Sequence, residues 1–337
     1  DVNDRPFFQG WDKTAFRDSE HGKKGLQCNQ CHMPHGSNNP RLNAFFDPTT
    51  GYEVNDGANE ENLCFNCHNT DKKLGAPDIK SALEKKNAHP TIARRNRHAD
   101  TEGAQDIGKD NRHAECFDCH DPHQAKAGLH ESNKAGGPQA GMKGVNVING
   151  VPGLTPNLFT VITPIIYEYQ LCFKCHSGFA DLVDKPVGDL DYKPKDKAKE
   201  LNPNNPSFHP IQALGKNLGI KDEAFALGTK FNPTTKDEPD YGLTGDYNDV
   251  GVRFDPDYDG KITCSDCHGN SDPNGAQGPH GSDNRKILRK PFNYRVNENM
   301  TCMRNCHRME AVDNAGNVSE DGNALCFECH NKNVYFG

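Results

Sequence analysis

This chain has little with which to build an ordinary core. Only 33% of its residues are hydrophobic and it holds a single tryptophan, whereas Gly and Pro number 32 and 22. Taken alone, such a composition leans towards disorder. Long apolar runs are also missing. The most apolar stretch, Leu158 to Phe173, is broken by Pro164 and Glu168, so no bilayer span is expected. Nor is there a basic excess: the formal net charge is −8, which argues against nucleic acid or an acidic membrane surface as partner. Finally, no cysteine is left over, because all 14 fall into pairs.

What is present explains those absences. Cys28/Cys31/His32, Cys64/Cys67/His68, Cys116/Cys119/His120, Cys172/Cys175/His176, Cys264/Cys267/His268 and Cys326/Cys329/His330 are regular Cys-x-x-Cys-His runs, and Cys302/Cys306/His307 is a variant with one extra residue between the thiols. Bare Cys-x-x-Cys also suits zinc knuckles or disulfides. A histidine directly after every pair does not. Histidine is 16 of 337 residues, so seven such neighbours by chance has odds on the order of 10⁻⁹. The run is the attachment signature of a c-type haem: two thiols bond covalently to the porphyrin and the adjacent imidazole takes the iron. Positions i, i+3 and i+4 share one helical face, so all three groups can address one flat macrocycle.

Seven covalent haems c are therefore expected, with His32, His68, His120, His176, His268, His307 and His330 as proximal ligands. Porphyrin faces then supply the apolar surface that the side chains lack. The expected fold is an irregular multihaem cytochrome: mostly loops, short α and 3-10 helices at the haem sites, little β structure and a core of stacked haems. Residues 1–24 form an N-terminal arm, and 25–337 form a single heptahaem domain.

A repeat organises that domain. Cys116 to His123 restates Cys28 to His35, each a motif with a second histidine three residues on. Leu171-Cys172-Phe173 restates Leu63-Cys64-Phe65, and His209-Pro210 restates His89-Pro90. Cys264 opens a third round, its second histidine displaced to Gly278-Pro279-His280, and Leu325-Cys326-Phe327 closes it. The units span about 25–90, 113–210 and 261–337. Short amphipathic structure is expected at Asp78 to Lys86, and loops at Gln124 to Asn157 and Asp181 to Ser207.

Removing the seven proximal ligands leaves nine histidines: His21, His35, His89, His98, His113, His123, His130, His209 and His280. Seven irons need seven distal ligands. The repeat favours His35, His89, His123, His209 and His280, with His21 and His113 preferred over His98 and His130 for the rest. The rigid Asp121-Pro122 link makes His123 reach a haem other than that of His120. Analogy gives His89 to the second haem and His209 to the fourth. The final haem then lacks a distal ligand, since Asn331 to Gly337 hold no histidine, while His21 precedes every haem without a partner. Two readings stay open: His21 of one copy ligates the last haem of the next, head to tail, or it folds back onto its own chain.

Six-coordinate haems carry electrons and do not bind substrate, so no enzyme activity and no catalytic residue is expected. The Cys-x-x-Cys-Lys signature of multihaem nitrite reductases is absent. Asp255, Asp257 and Asp259 match the opening of a Ca²⁺ loop, with Asp266 at its twelfth position; an acidic solvated turn is the competing reading. The start at Asp1 is read as that of a processed, exported chain.

With Cys-x-x-Cys-His-x-Pro-His, Leu-Cys-Phe-x-Cys-His, His-Pro and Gly-Pro-His-Gly in this order, the chain resembles the extracellular multihaem cytochromes that polymerise into nanowires. The resemblance implies alternating parallel and T-shaped haem contacts, a distal histidine donated by the neighbouring copy (His21), and a head-to-tail homopolymer. It further implies long-range electron transfer to acceptors outside the cell, with partner cytochromes delivering the electrons. A monomeric periplasmic or cell-surface carrier and a multihaem reductase are the alternatives.

Overall fold

The computed structural model describes residues 13–36, 61–92, 114–128, 134–180, 195–216 and 261–290, with Leu325 and the backbone of two short strands beyond. Cys302, Cys306, His307, Cys326, Cys329, His330, His98, His113, His130 and the Asp255, Asp257 and Asp259 loop lie outside the described residues. The fold is irregular, made of loops joined by short helices and small two-stranded ladders. Among the described residues no helix is long and apolar enough to cross a membrane.

Helices α1 (Lys13–Asp18) and α2 (Glu20–Lys23) meet at Ser19. The buried Ser19 hydroxyl accepts from the Gly22 N–H and donates to the Phe16 carbonyl. A Cβ at Gly22 would stand 2.0 Å from that carbonyl oxygen, so only glycine permits the turn. The pair does not project outward. The Glu20 N–H bonds the Ala125 carbonyl at 2.8 Å, which fastens residues of the expected arm to their own chain.

Next come α3 (Glu61–Phe65) and α4 (Ile79–Leu83), the latter capped by Asp78, whose carboxylate accepts from the Ser81 N–H. Strand β1 (Asn87–Ala88) follows and α5 (Cys116–Cys119) carries the third motif. Strands β2 (Gly144–Val147) and β3 (Phe159–Ile162) then form an antiparallel hairpin, Val145 opposite Val161. This hairpin falls in and beyond a stretch expected to be loop. Its signal was the alternation of Val145, Val147, Phe159 and Val161, diluted by the glycines and prolines around it.

Helix α6 (Glu168–His176) ends on the fourth motif and α7 (Lys197–Glu200) packs near it. Val145, Val147, Tyr169, Phe173, Ala198, Ile211 and Ile262 form a buried apolar cluster. So the chain has a small side-chain core, centred on Phe173 at 1% exposure. Fully buried Met142 sits with Ile165 and Leu171, a packing role. Strand β4 (Gly281–Ser282) pairs antiparallel with β1. A Cβ at Gly281 would stand 1.9 Å from the Ala82 carbonyl oxygen of α4. That close approach brings the third unit onto the first. Strands β5 (Ala311–Val312) and β6 (Val318–Ser319) form a further antiparallel pair.

Candidate functional site

Each described Cys-x-x-Cys-His run closes one helical turn. The N–H of His32, His68, His120 and His268 bonds the carbonyl of Cys28, Cys64, Cys116 and Cys264 at 2.8–2.9 Å. Two local devices make that turn. In the leading motif of each unit it stands alone and caps itself. The second intervening residue, Gln30, Asp118 or Asp266, accepts the N–H of the residue before the first cysteine, Gln27, Glu115 or Thr263, at 2.7–2.9 Å. A side-chain acceptor there satisfies a donor the short turn would otherwise strand. Asp266, the proposed end of a Ca²⁺ loop, is thus engaged in capping. In the Leu-Cys-Phe motifs the turn ends a helix instead, and the phenylalanine is the anchor: Phe65 and Phe173 are buried.

The imidazoles come together in pairs. Ring centroids of His32 and His123 are 6.1 Å apart, of His21 and His68 6.2 Å, of His120 and His280 6.0 Å, and of His89 and His176 6.2 Å. In each pair one ring follows two cysteines and the other comes from elsewhere in the sequence. A metal–imidazole bond of about 2 Å plus roughly 1.1 Å from nitrogen to ring centre, doubled, gives about 6.2 Å for two imidazoles on opposite sides of one iron. The pairs therefore fit a haem iron held by two histidines.

The ring tautomers fit as well. His21 Nδ1 bonds the Pro122 carbonyl, His68 that of Pro77, His89 that of Pro279, His120 that of Pro138 and His268 that of Lys286, at 2.6–3.2 Å. A carbonyl only accepts, so each Nδ1 carries the proton and each Nε2 keeps its lone pair for a metal. Burial lowers the pKa of His68, His120 and His268, and brings His280 down to about 3, favouring neutral rings. Burial also raises the Cys119 thiol to about 12.

Two of these carbonyls belong to Pro-His steps. Pro122 orients His21 while the next residue, His123, faces His32; Pro279 orients His89 while His280 faces His120. One dipeptide thereby serves two neighbouring pairs.

The pairing revises several expectations. His21 faces His68 of its own chain, the fold-back placement of the two readings left open. His89 faces His176, the fourth motif, where the second was expected. The cause is tertiary: pairing of β1 with β4 carries His89 to Pro279. His176 is therefore not the partner of His209, which is exposed, as is His35. Among the described residues no histidine ring faces His35, His209 or His268.

A register emerges. A histidine preceding a unit faces that unit's Leu-Cys-Phe motif: His21 with His68, His89 with His176. The trailing histidine of a unit faces the leading motif of the unit before: His123 with His32, His280 with His120. The backbone shares the repeat. His89-Pro90 and His209-Pro210 make the same tight turn, Thr91 N–H to His89 carbonyl and Ile211 N–H to His209 carbonyl, both 2.8 Å. Pro90 and Pro210 then accept from Ala114 and Ile262, each two residues before a motif cysteine.

Neighbouring motifs lie close enough in chain order to influence one another electrostatically. The Cys31 thiol is raised by burial and then by Cys67 beside it. The His68 ring feels His120, and Cys119 feels Cys172 and Cys175. The sulfurs of Cys172 and Cys264 lie within 4.8 Å of each other, and this neighbour, with burial, raises the Cys172 thiol.

The doubled CXXCH motif family model matches residues 21–73 and 295–335. No curated protein and no solved structure matches the chain. The matched motifs are those of a multihaem c-type cytochrome that binds haem c covalently and transfers electrons.

Proposed function

We propose that this multihaem c-type cytochrome carries electrons through seven haems c, each iron held between two histidines, and that copies join head to tail into an extracellular filament. The four imidazole pairs carry the reading. Each pair is assigned to one haem: His32/His123, His68/His21, His120/His280 and His176/His89. When bound, haem supplies a one-electron centre. The chain fills both axial positions, so these haems carry electrons and do not turn over substrate. Proximity of successive motifs supports a path from the first to the fifth in chain order.

The register extends to the rest. His209, in the place of His89, serves His330. The haem of Cys302, Cys306 and His307 draws on His113, His98 or His130. The leading motif of the third unit, His268, needs the trailing histidine of a following unit. We assign it His35 of the next copy, because His35 is exposed. This moves the donated ligand from His21 to His35. Redox partner cytochromes would load such a filament, and acceptors outside the cell would drain it.

Intact-mass measurement should show seven haems, and negative-stain microscopy of native protein should show fibres. His35→Ala is expected to leave discrete particles with one haem that binds CO when reduced. Discrete native particles with every haem low-spin would refute the filament. Broad CO binding by native protein would refute ligation by two histidines and favour a reductase.

A further inference from the structure

Glu168 opens α6 at 4% exposure, a buried carboxylate at the junction of two cysteine motifs. Its carboxylate accepts the Ser265 N–H at 2.8 Å and the Ser265 hydroxyl at 2.5 Å. Ser265 lies between the thiols of the fifth motif, Cys264 and Cys267, and Glu168 shares its helix with the fourth, Cys172 and Cys175. A Glu168 oxygen and the sulfurs of Cys172 and Cys264 all lie within 4.8 Å of one another. Such a trio resembles a metal site, but both sulfurs belong to haem attachment motifs and are consumed as thioethers. What is left is a buried carboxylate shared by two haem attachments.

We infer that Glu168 sets the reduction potential of the haems at the fourth and fifth motifs, an inference that rests on haem attachment at Cys172/Cys175 and Cys264/Cys267. Reduction adds one electron to each centre. A fixed anion beside the thioethers disfavours that electron, and little water screens it there. Through an effective dielectric of about 20, one charge roughly 10 Å away shifts the oxidised-to-reduced ratio by an order of magnitude, about tenfold. The same side chain clamps the two attachment segments, so distance and driving force for this step are governed by one residue. Electrons would leave this step for the less reducing haems on either side.

Spectroelectrochemical titration of the full, haem-loaded protein tests it. Glu168→Gln keeps an acceptor for the Ser265 N–H and removes the charge. It is expected to raise the potential of one or two haems by about the tenfold shift, some 59 mV for one electron, leaving the others in place. Glu168→Asp, which keeps the charge, should hold the wild-type potentials. Should the glutamine variant fail to accumulate, Ser265→Ala decides. It removes a donor that partly neutralises the carboxylate, so it should lower the same potentials. Unchanged potentials in a Glu168→Gln protein with its full haem complement would overturn the role of Glu168 alone. Missing haems at the fourth and fifth motifs of the wild-type protein would overturn the attachment reading as well.

Discussion

Replacing His21 by alanine separates the two places that this imidazole could act. In the structure its ring stands 6.2 Å from His68 and its Nδ1 proton lies on the Pro122 carbonyl at 2.9 Å. The substitution removes one hydrogen bond, worth about 1 kcal/mol, and the axial bond proposed for the second haem. The helices around it stay anchored through the Glu20–Ala125 bond and the edge contact of Phe16 with His123 at 6.2 Å. The fold should therefore survive with a loss of roughly 1–2 kcal/mol. One haem of the proposed seven should become five-coordinate. The assay is CO titration of the dithionite-reduced variant: close to one equivalent per chain is expected, with fibres retained. His21→Met, supplying a weaker-donor thioether, should instead raise one potential. If His21→Ala loses its fibres, or keeps them and binds no CO, the intramolecular pairing is wrong.

Three further outcomes follow from the geometry. The rings of His32/His123 and His120/His280, proposed as axial pairs, lie 15° and 23° apart, those of His21/His68 and His89/His176 67° and 59°. Oxidised protein should therefore give two low-spin EPR populations, one rhombic and one highly anisotropic; a single population would contradict the ring orientations. Phe173→Ala empties the centre of the side-chain core and should cost about 3–5 kcal/mol, seen as a lowered denaturation midpoint; a loss under 1 kcal/mol would deny that core its role. His280, held near pKa 3 by burial and then by His120 and His89, lies below its ordinary value of 6.5. A depressed base favours the folded state fully above about 6.5, and that contribution fades as pH falls towards 3. Stability measured across this window should fall with acid, and less steeply in His280→Gln.

The attachment motifs were legible in sequence because everything they need is local. Two thiols and an imidazole on one face, a capping Gln or Asp between them, and a Leu-Cys-Phe anchor are written within a few residues. The irregular fold was legible for the same reason, from a composition too poor in apolar residues for layered packing. The β2–β3 hairpin was not, because only alternate residues such as Val145 and Val147 marked it among glycines and prolines. Assignment of the second histidines went furthest astray. A ring such as His89 follows a proline and points wherever its strand is carried, and that depended on β1 finding β4 and on Gly281 letting α4 approach. The sequence alone thus determined where the Cys-x-x-Cys-His attachment signatures lie. Tertiary structure decided which imidazoles face each other, because a partner is chosen by position in space, and only packing between distant units sets that position.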